Sequence, residues 1–258
     1  MTPTESFADV AGGKIHILKA GSGRPLFVLH HEIGNPGWIP FYDDLARDFT
    51  VYVPSHPGYG KSERPEWMRS VRDLAIVYNW LLNDLKLDGV LGLGLGFGGW
   101  IAAEMAMMSH HVFSRMVLVG AMGLQPRSGE IMDQFLIDSI TYVRSGFADE
   151  HSYAELYTKE PSLDQLEQWE INREMTSRIA YKPYMFDQQM PQLIRGVSTP
   201  TLVVCGSKDQ IVPIVCAEQY RDTIAGARLK TIAGAGHYVE AEKPAELAKL
   251  VRDFAGAQ

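Results

Sequence analysis

Four short stretches hold the residues whose types and spacing could do chemistry. In "GLGLGFGGW" (92–100), Gly94, Gly96 and Gly99 spell G-x-G-x-x-G, the pattern that on a strand-to-helix turn cradles a dinucleotide. The same letters from Gly94 to Gly99 also fit the G-x-X-x-G-G frame of a nucleophile elbow. Its central residue should be serine, aspartate or cysteine, and here it is Gly96. Downstream, "VVCGSKDQIVP" sets Asp209 in a loop after an apolar run, and "IAGAGHYVEAEKP" sets His237 in a glycine-rich loop after the next such run. Upstream, "LHHEIGNPGW" gathers His30, His31 and Glu32 at the end of a third.

The two readings of the glycines make different demands on their surroundings. A dinucleotide loop lies in the first βαβ unit and needs an acidic residue at the tip of the next strand to hold the ribose. Here several strand-like runs come first, and the next one ends "VGAMG", without Asp or Glu. An elbow instead requires an acid after a later strand and a histidine after the last, in the order nucleophile, acid, histidine. Gly96, Asp209 and His237 stand in that order. The elbow is therefore preferred, and no nucleotide or other cofactor is expected.

Positioning these residues falls to short β-rich runs that alternate with amphipathic segments. "KIHILKA" (14–20) alternates like a hairpin strand near an edge, and 25–31, 50–54, 89–95, 115–121, 200–206 and 227–234 read as strands, most of them buried on both faces. Helical spacing falls at about 38–48, 70–86, 97–109, 214–225 and 244–256. The pattern predicts an α/β fold with a mostly parallel sheet flanked by helices. From 125 to 195 no strand is evident, and "EIMDQFLIDSITYVRS", "YAELYTK" and "SLDQLEQWEINREMTSRIAY" carry helical spacing. Residues 1–124 and 196–258 are thus expected to form the core domain, with 125–195 inserted as a helical cap over the carboxyl edge of the sheet. Open α/β sheets bind ligands at that edge. Tyr142, Tyr181, Tyr184 and Met185 are candidates to line an apolar pocket under the cap.

Composition limits the partners. A net charge of −7 lacks the clustered Lys and Arg that phosphate backbones require, which argues against nucleic acid. No apolar run approaches the ~20 residues needed to span a bilayer. The start "MTPTESFADV" has neither a basic nor an apolar leader region, and two cysteines are too few for a disulfide framework. A cytoplasmic protein acting on a small molecule, as a monomer or homodimer, is the expectation.

The order and contexts of Gly96, Asp209 and His237, with "SHPGYGKSERP" (55–65) and "FGGWIAAEMA" (97–106), resemble the α/β-hydrolase fold family, particularly its capped members, from Lys14 to Phe254. The resemblance implies a mostly parallel eight-stranded sheet flanked by helices with a helical cap, that Asp209 steers His237 as the catalytic base, and that the backbone N–H groups of Glu32 and Phe97 form an oxyanion hole. Two departures stand out. Gly96 has no side chain with which to attack a carbonyl, and His31 occupies the glycine place of the family's usual His-Gly oxyanion segment.

Whether Gly96 is native or an engineered replacement of serine stays open at this point. The native reading is preferred, because the unusual His-His-Glu stretch suggests a site rebuilt as a whole. His30 is expected to support the loop, while His31 or Glu32 could point into the space left at Gly96 and serve as an accessory base. His30, His31, Glu32 and His237 are of the types that ligate zinc, but a metal is not expected, since consecutive histidines on a strand face opposite ways and His30 and His31 cannot easily share an ion. The chemistry that fits is hydrolysis of an ester, lactone or C–C bond of a small apolar carbonyl compound, without a serine nucleophile. The alternatives are cofactor-free proton abstraction of the lyase or oxygenase type, and a non-catalytic ligand-binding relative.

Overall fold

The run VLGLGL, Val90–Leu95, is buried at every position. Side chains alternate faces along a strand, so such a run must be covered on both sides. The computed structural model, which describes residues 1–256, supplies that cover. Its strands are β1 (Thr4–Val10), β2 (Gly13–Ala20), β3 (Arg24–Leu29), β4 (Phe49–Pro54), β5 (Val90–Leu95), β6 (Phe113–Val119), β7 (Thr201–Gly206) and β8 (Arg228–Ile232). They form one eight-stranded sheet ordered β1-β2-β4-β3-β5-β6-β7-β8. β2 runs antiparallel to both β1 and β4, and every pairing from β4 to β8 is parallel. This is the mostly parallel α/β sheet that the sequence predicts.

Two apolar cores sit on opposite faces. Helices α1 (Pro40–Leu45) and α10 (Pro244–Gly256) bury Phe41, Leu45, Leu247 and Val251 on one. Helices α2 (Val71–Asp84), α3 (Phe97–Met108) and α8 (Ile214–Thr223) bury Leu74, Ile101 and Tyr220 on the other. The start of α2 is set by Ser70, whose hydroxyl accepts from Asp73 N while the Asp73 carboxylate accepts from Ser70 N. A cap of this kind contributes about 1 kcal/mol. α3 lies so close to β3 that a β-carbon on Gly98 would stand 2.1 Å from the Leu29 carbonyl oxygen. Only glycine permits that approach.

Between β6 and β7 come α4 (Ser139–Ser145), α5 (Glu150–Tyr157), α6 (Leu163–Ala180) and α7 (Met190–Leu193), and a short α9 (Val239–Glu242) follows His237. Two elements differ from expectation. β1 has no alternating signal because it is an edge strand with only Val10 buried, held by its ladder to β2. The helix expected from residue 130 begins only at Ser139. There the Asp138 side chain accepts from Thr141 N, while Asp133 has already turned the chain by accepting from Phe135 N. No helix among the described residues is long and apolar enough to cross a membrane.

Candidate active site

β5 passes into α3 through Gly96, whose φ of +52° and ψ of −112° suit a residue without a side chain. The turn is pinned on both sides: Gly96 N donates to Val119 O at 2.8 Å, and Gly96 O accepts from Gly99 N at 3.0 Å and Met122 N at 3.1 Å. A β-carbon placed on Gly96 would lie 2.4 Å from His31 Nδ1, 2.9 Å from His237 Nε2 and 3.1 Å from Glu32 Oε2. The His31 ring thus fills the place where a nucleophilic side chain would start.

The loops at the carboxyl ends of β7 and β8 bring Asp209 to His237. His237 Nδ1 donates to Asp209 Oδ2 at 2.8 Å, and Asp209 Oδ1 accepts from the N–H groups of Ile211 and Val212 at 2.9 Å each. His237 Nε2 lies 3.2 Å from His31 Nδ1. On its far side His31 Nε2 stands 3.1 Å from Glu240 Oε1, an ion-pair distance out of line for a hydrogen bond. Burial opposes a charge on His237. The charge of Asp209 and its hydrogen bond, with Glu32 and Glu240 behind it, outweigh burial and push the imidazole up to about 9. The raised value favours the protonated ring, whose Nδ1 donates to Asp209.

Glu32 completes the group. Its Oε1 accepts from Tyr142 OH at 2.8 Å, whereas Oε2, 4.0 Å from His31 Nδ1, has no hydrogen-bond partner. α6 holds the loop that carries these residues: Thr176 donates to the Glu32 carbonyl at 3.1 Å and Asn172 Nδ2 to the Ile33 carbonyl at 2.7 Å. Glu32 and His237 are wholly buried and His31 is 3% exposed, so the site is closed to bulk water. Donor atoms of His31, Glu32 and His237 all lie within 4.8 Å of one another, close enough to surround an ion.

The other sequence candidates fall in varied places. His30 faces away, with Nδ1 on the His31 carbonyl at 2.7 Å and Nε2 accepting from His56 N at 2.9 Å, and burial drives it down to about 3. It is a neutral strut for the loop. The Phe97 N–H opens α3 and has no carbonyl one turn earlier in that helix. Among the described residues the Glu32 N–H forms no hydrogen bond. Tyr142 is buried against Glu32, whereas Tyr184 lines a separate cavity of ≈ 360 Å³ with Ile131 and Phe186. Tyr181 is 54% exposed and packs on Phe135, and Met185 is buried, its N–H donating to the Ala180 carbonyl. Sequence reasoning missed Glu240 and Tyr238, whose ring meets that of His31 at 4.8 Å. Their one signal was proximity to His237.

Comparison with known proteins agrees with this fold. Residues 25–244 match the family described as "alpha/beta hydrolase fold". The chain is 26% identical to 2-hydroxymuconate semialdehyde hydrolase of Pseudomonas sp. (strain CF600), over 95% of this chain and 91% of that one. It is 24% identical to 2-hydroxy-6-oxo-2,4-heptadienoate hydrolase of Pseudomonas putida (strain F1), over 96% and 95% respectively. A meta-cleavage product hydrolase from Pseudomonas fluorescens IP01 superposes with a TM-score of 0.84 at 20% identity, covering 97% of both chains. With its sheet order and a family match across most of its length, the chain belongs to the α/β hydrolase fold family.

Proposed function

We propose that the protein hydrolyses a small apolar carbonyl compound, an ester, a lactone or a C–C bond beside a carbonyl, by direct attack of water and without a covalent intermediate. In its neutral form His237, steered by Asp209, takes the proton from water as the water adds to the carbonyl carbon. The N–H groups of Glu32 and Phe97 then hold the oxyanion. Collapse expels the leaving group, which takes the proton back from His237. General-base help is worth about 10²–10⁴-fold and an oxyanion donor about 10²–10³-fold, so substantial rates survive the loss of a nucleophile.

The observation that carries this reading is the His31 ring over Gly96, with Nδ1 3.2 Å from His237 Nε2. In a serine enzyme a hydroxyl would be the neighbour of that nitrogen. It also supports a native glycine, since a β-carbon at position 96 would collide with the ring. Similarity to C–C hydrolases supports the substrate class. The closed site supports a second reading, proton abstraction from a carbonyl compound without water as reactant. Turnover of aryl esters, lactones and vinylogous diketones in H₂¹⁸O separates the two. One ¹⁸O in the acid product is expected, and product lacking the label would favour abstraction.

A further inference from the structure

We propose that His31 Nδ1, His237 Nε2 and Glu32 Oε2 form a binding site for one divalent first-row transition-metal ion, zinc by donor set, held over Gly96. The three atoms face one another above the Gly96 turn, all within 4.8 Å of each other. Tetrahedral zinc ligands at their usual bond lengths stand about 3.4 Å apart, and the two imidazole nitrogens are already 3.2 Å apart. Glu32 Oε2, 4.0 Å from His31 Nδ1, must draw in to complete the set at that separation. No hydrogen bond holds that oxygen where it is.

Each donor group is braced from behind, as metal ligands are. His237 Nδ1 bonds Asp209, His31 Nε2 faces Glu240 at 3.1 Å, and Glu32 Oε1 is gripped by Tyr142. The unpartnered Glu32 Oε2 is the second pointer. A carboxylate oxygen with no exposure and no donor is costly to bury, and a cation at the centre of the three donors satisfies it. Two imidazoles in the set select zinc, cobalt or ferrous iron over magnesium and calcium. The sequence argument against a metal concerned His30 with His31, and His30 indeed faces elsewhere. The remaining three of that set, His31, Glu32 and His237, meet without it.

Binding of the ion stands independently of the proposed hydrolysis, whereas its use rests on that reading. There the ion would supply the activation of water, lowering its pKa to about 7, and His237 would serve as a ligand rather than as the base.

The test strips the protein with dipicolinate and titrates Zn²⁺, Co²⁺, Mg²⁺ and Ca²⁺ by calorimetry, with visible absorption for Co²⁺. Expected are one submicromolar Zn²⁺ site, intense Co²⁺ bands of low-coordinate geometry, and no Mg²⁺ or Ca²⁺ binding. His31→Ala and Glu32→Gln should each weaken Zn²⁺ at least about 100-fold, and Asp209→Asn about 10–100-fold. Wild-type binding no tighter than millimolar, or unchanged in Glu32→Gln, overturns the site. Glu32→Gln keeps shape and volume, so it decides the matter if His31→Ala does not fold. Tight Zn²⁺ binding with no hydrolysis of any carbonyl substrate sinks the hydrolase reading and leaves the site. Hydrolysis in a protein that binds no Zn²⁺ does the reverse.

Discussion

His31 and His237 meet over Gly96 with Nδ1 and Nε2 3.2 Å apart, each ring backed on its other side by a carboxylate, Glu240 and Asp209. The hydrogen bond from Nδ1 to Asp209 turns Nε2 of His237 towards His31, directly above the turn where a side chain at position 96 would begin.

Serine at position 96 should therefore not restore a serine hydrolase. Gly96→Ser must displace the buried His31 ring and place a side chain at φ +52°. Overpacking costs about 1–3 kcal/mol and the backbone strain a similar amount. A melting temperature lowered by several degrees, with no labelling by a fluorophosphonate probe, is the expected result. Rapid labelling would show that position 96 is still a working serine elbow.

Removing the steered imidazole should end turnover. His237→Ala is expected to lower kcat about 10²–10⁴-fold on any ester or lactone the parent hydrolyses. Asp209→Asn should fall by a comparable factor, because the buried ring loses the acceptor that sets its orientation. Steady-state kinetics with circular dichroism as a fold control checks both, and parental rates in His237→Ala would end the base assignment.

The metal-free protein should show an alkaline histidine. NMR titration of the ring carbons is expected to give His237 an apparent pKa of about 9, while His30 stays neutral down to about 3. The sign for stability follows from the raised value. His237 binds its proton more tightly folded than unfolded, so its contribution is complete below the ordinary histidine pKa of about 6.5 and is lost as pH rises through about 9. Denaturant unfolding should lose a few kcal/mol between pH 6 and pH 10 in the parent. A His237→Gln variant should lose less over the same range.

Tyr142→Phe should expose the cost of the buried carboxylate. Without the 2.8 Å hydrogen bond neither oxygen of Glu32 has a donor. A loss of about 1–3 kcal/mol in urea unfolding is expected. The double variant Tyr142→Phe with Glu32→Gln should recover part of it. A loss that is unchanged in the double variant would mean that the hydroxyl does not serve Glu32.

The sheet and the positions of Asp209 and His237 were legible because buried parallel strands write continuous apolar runs, and the loops after them are short. β1 was hidden because an edge strand needs hydrogen bonds but no apolar pattern. The start of the insertion misled because Asp133 and Asp138 turn and cap the chain locally, against the longer helical spacing around them. Glu240 could not be singled out, since its meaning depends on His31, which is 209 positions away in sequence and 3.1 Å away in space. Types and order reveal which loops meet. They do not reveal which atoms touch.

The grip of Thr176 and Asn172 on the carbonyls of Glu32 and Ile33 has a mechanical corollary. α6 is thus a clamp on the peptide that bears His31 and Glu32. On the proposed hydrolysis, drawing that helix back to admit a molecule would unfasten the peptide, so that entry and assembly of the chemistry would be one movement.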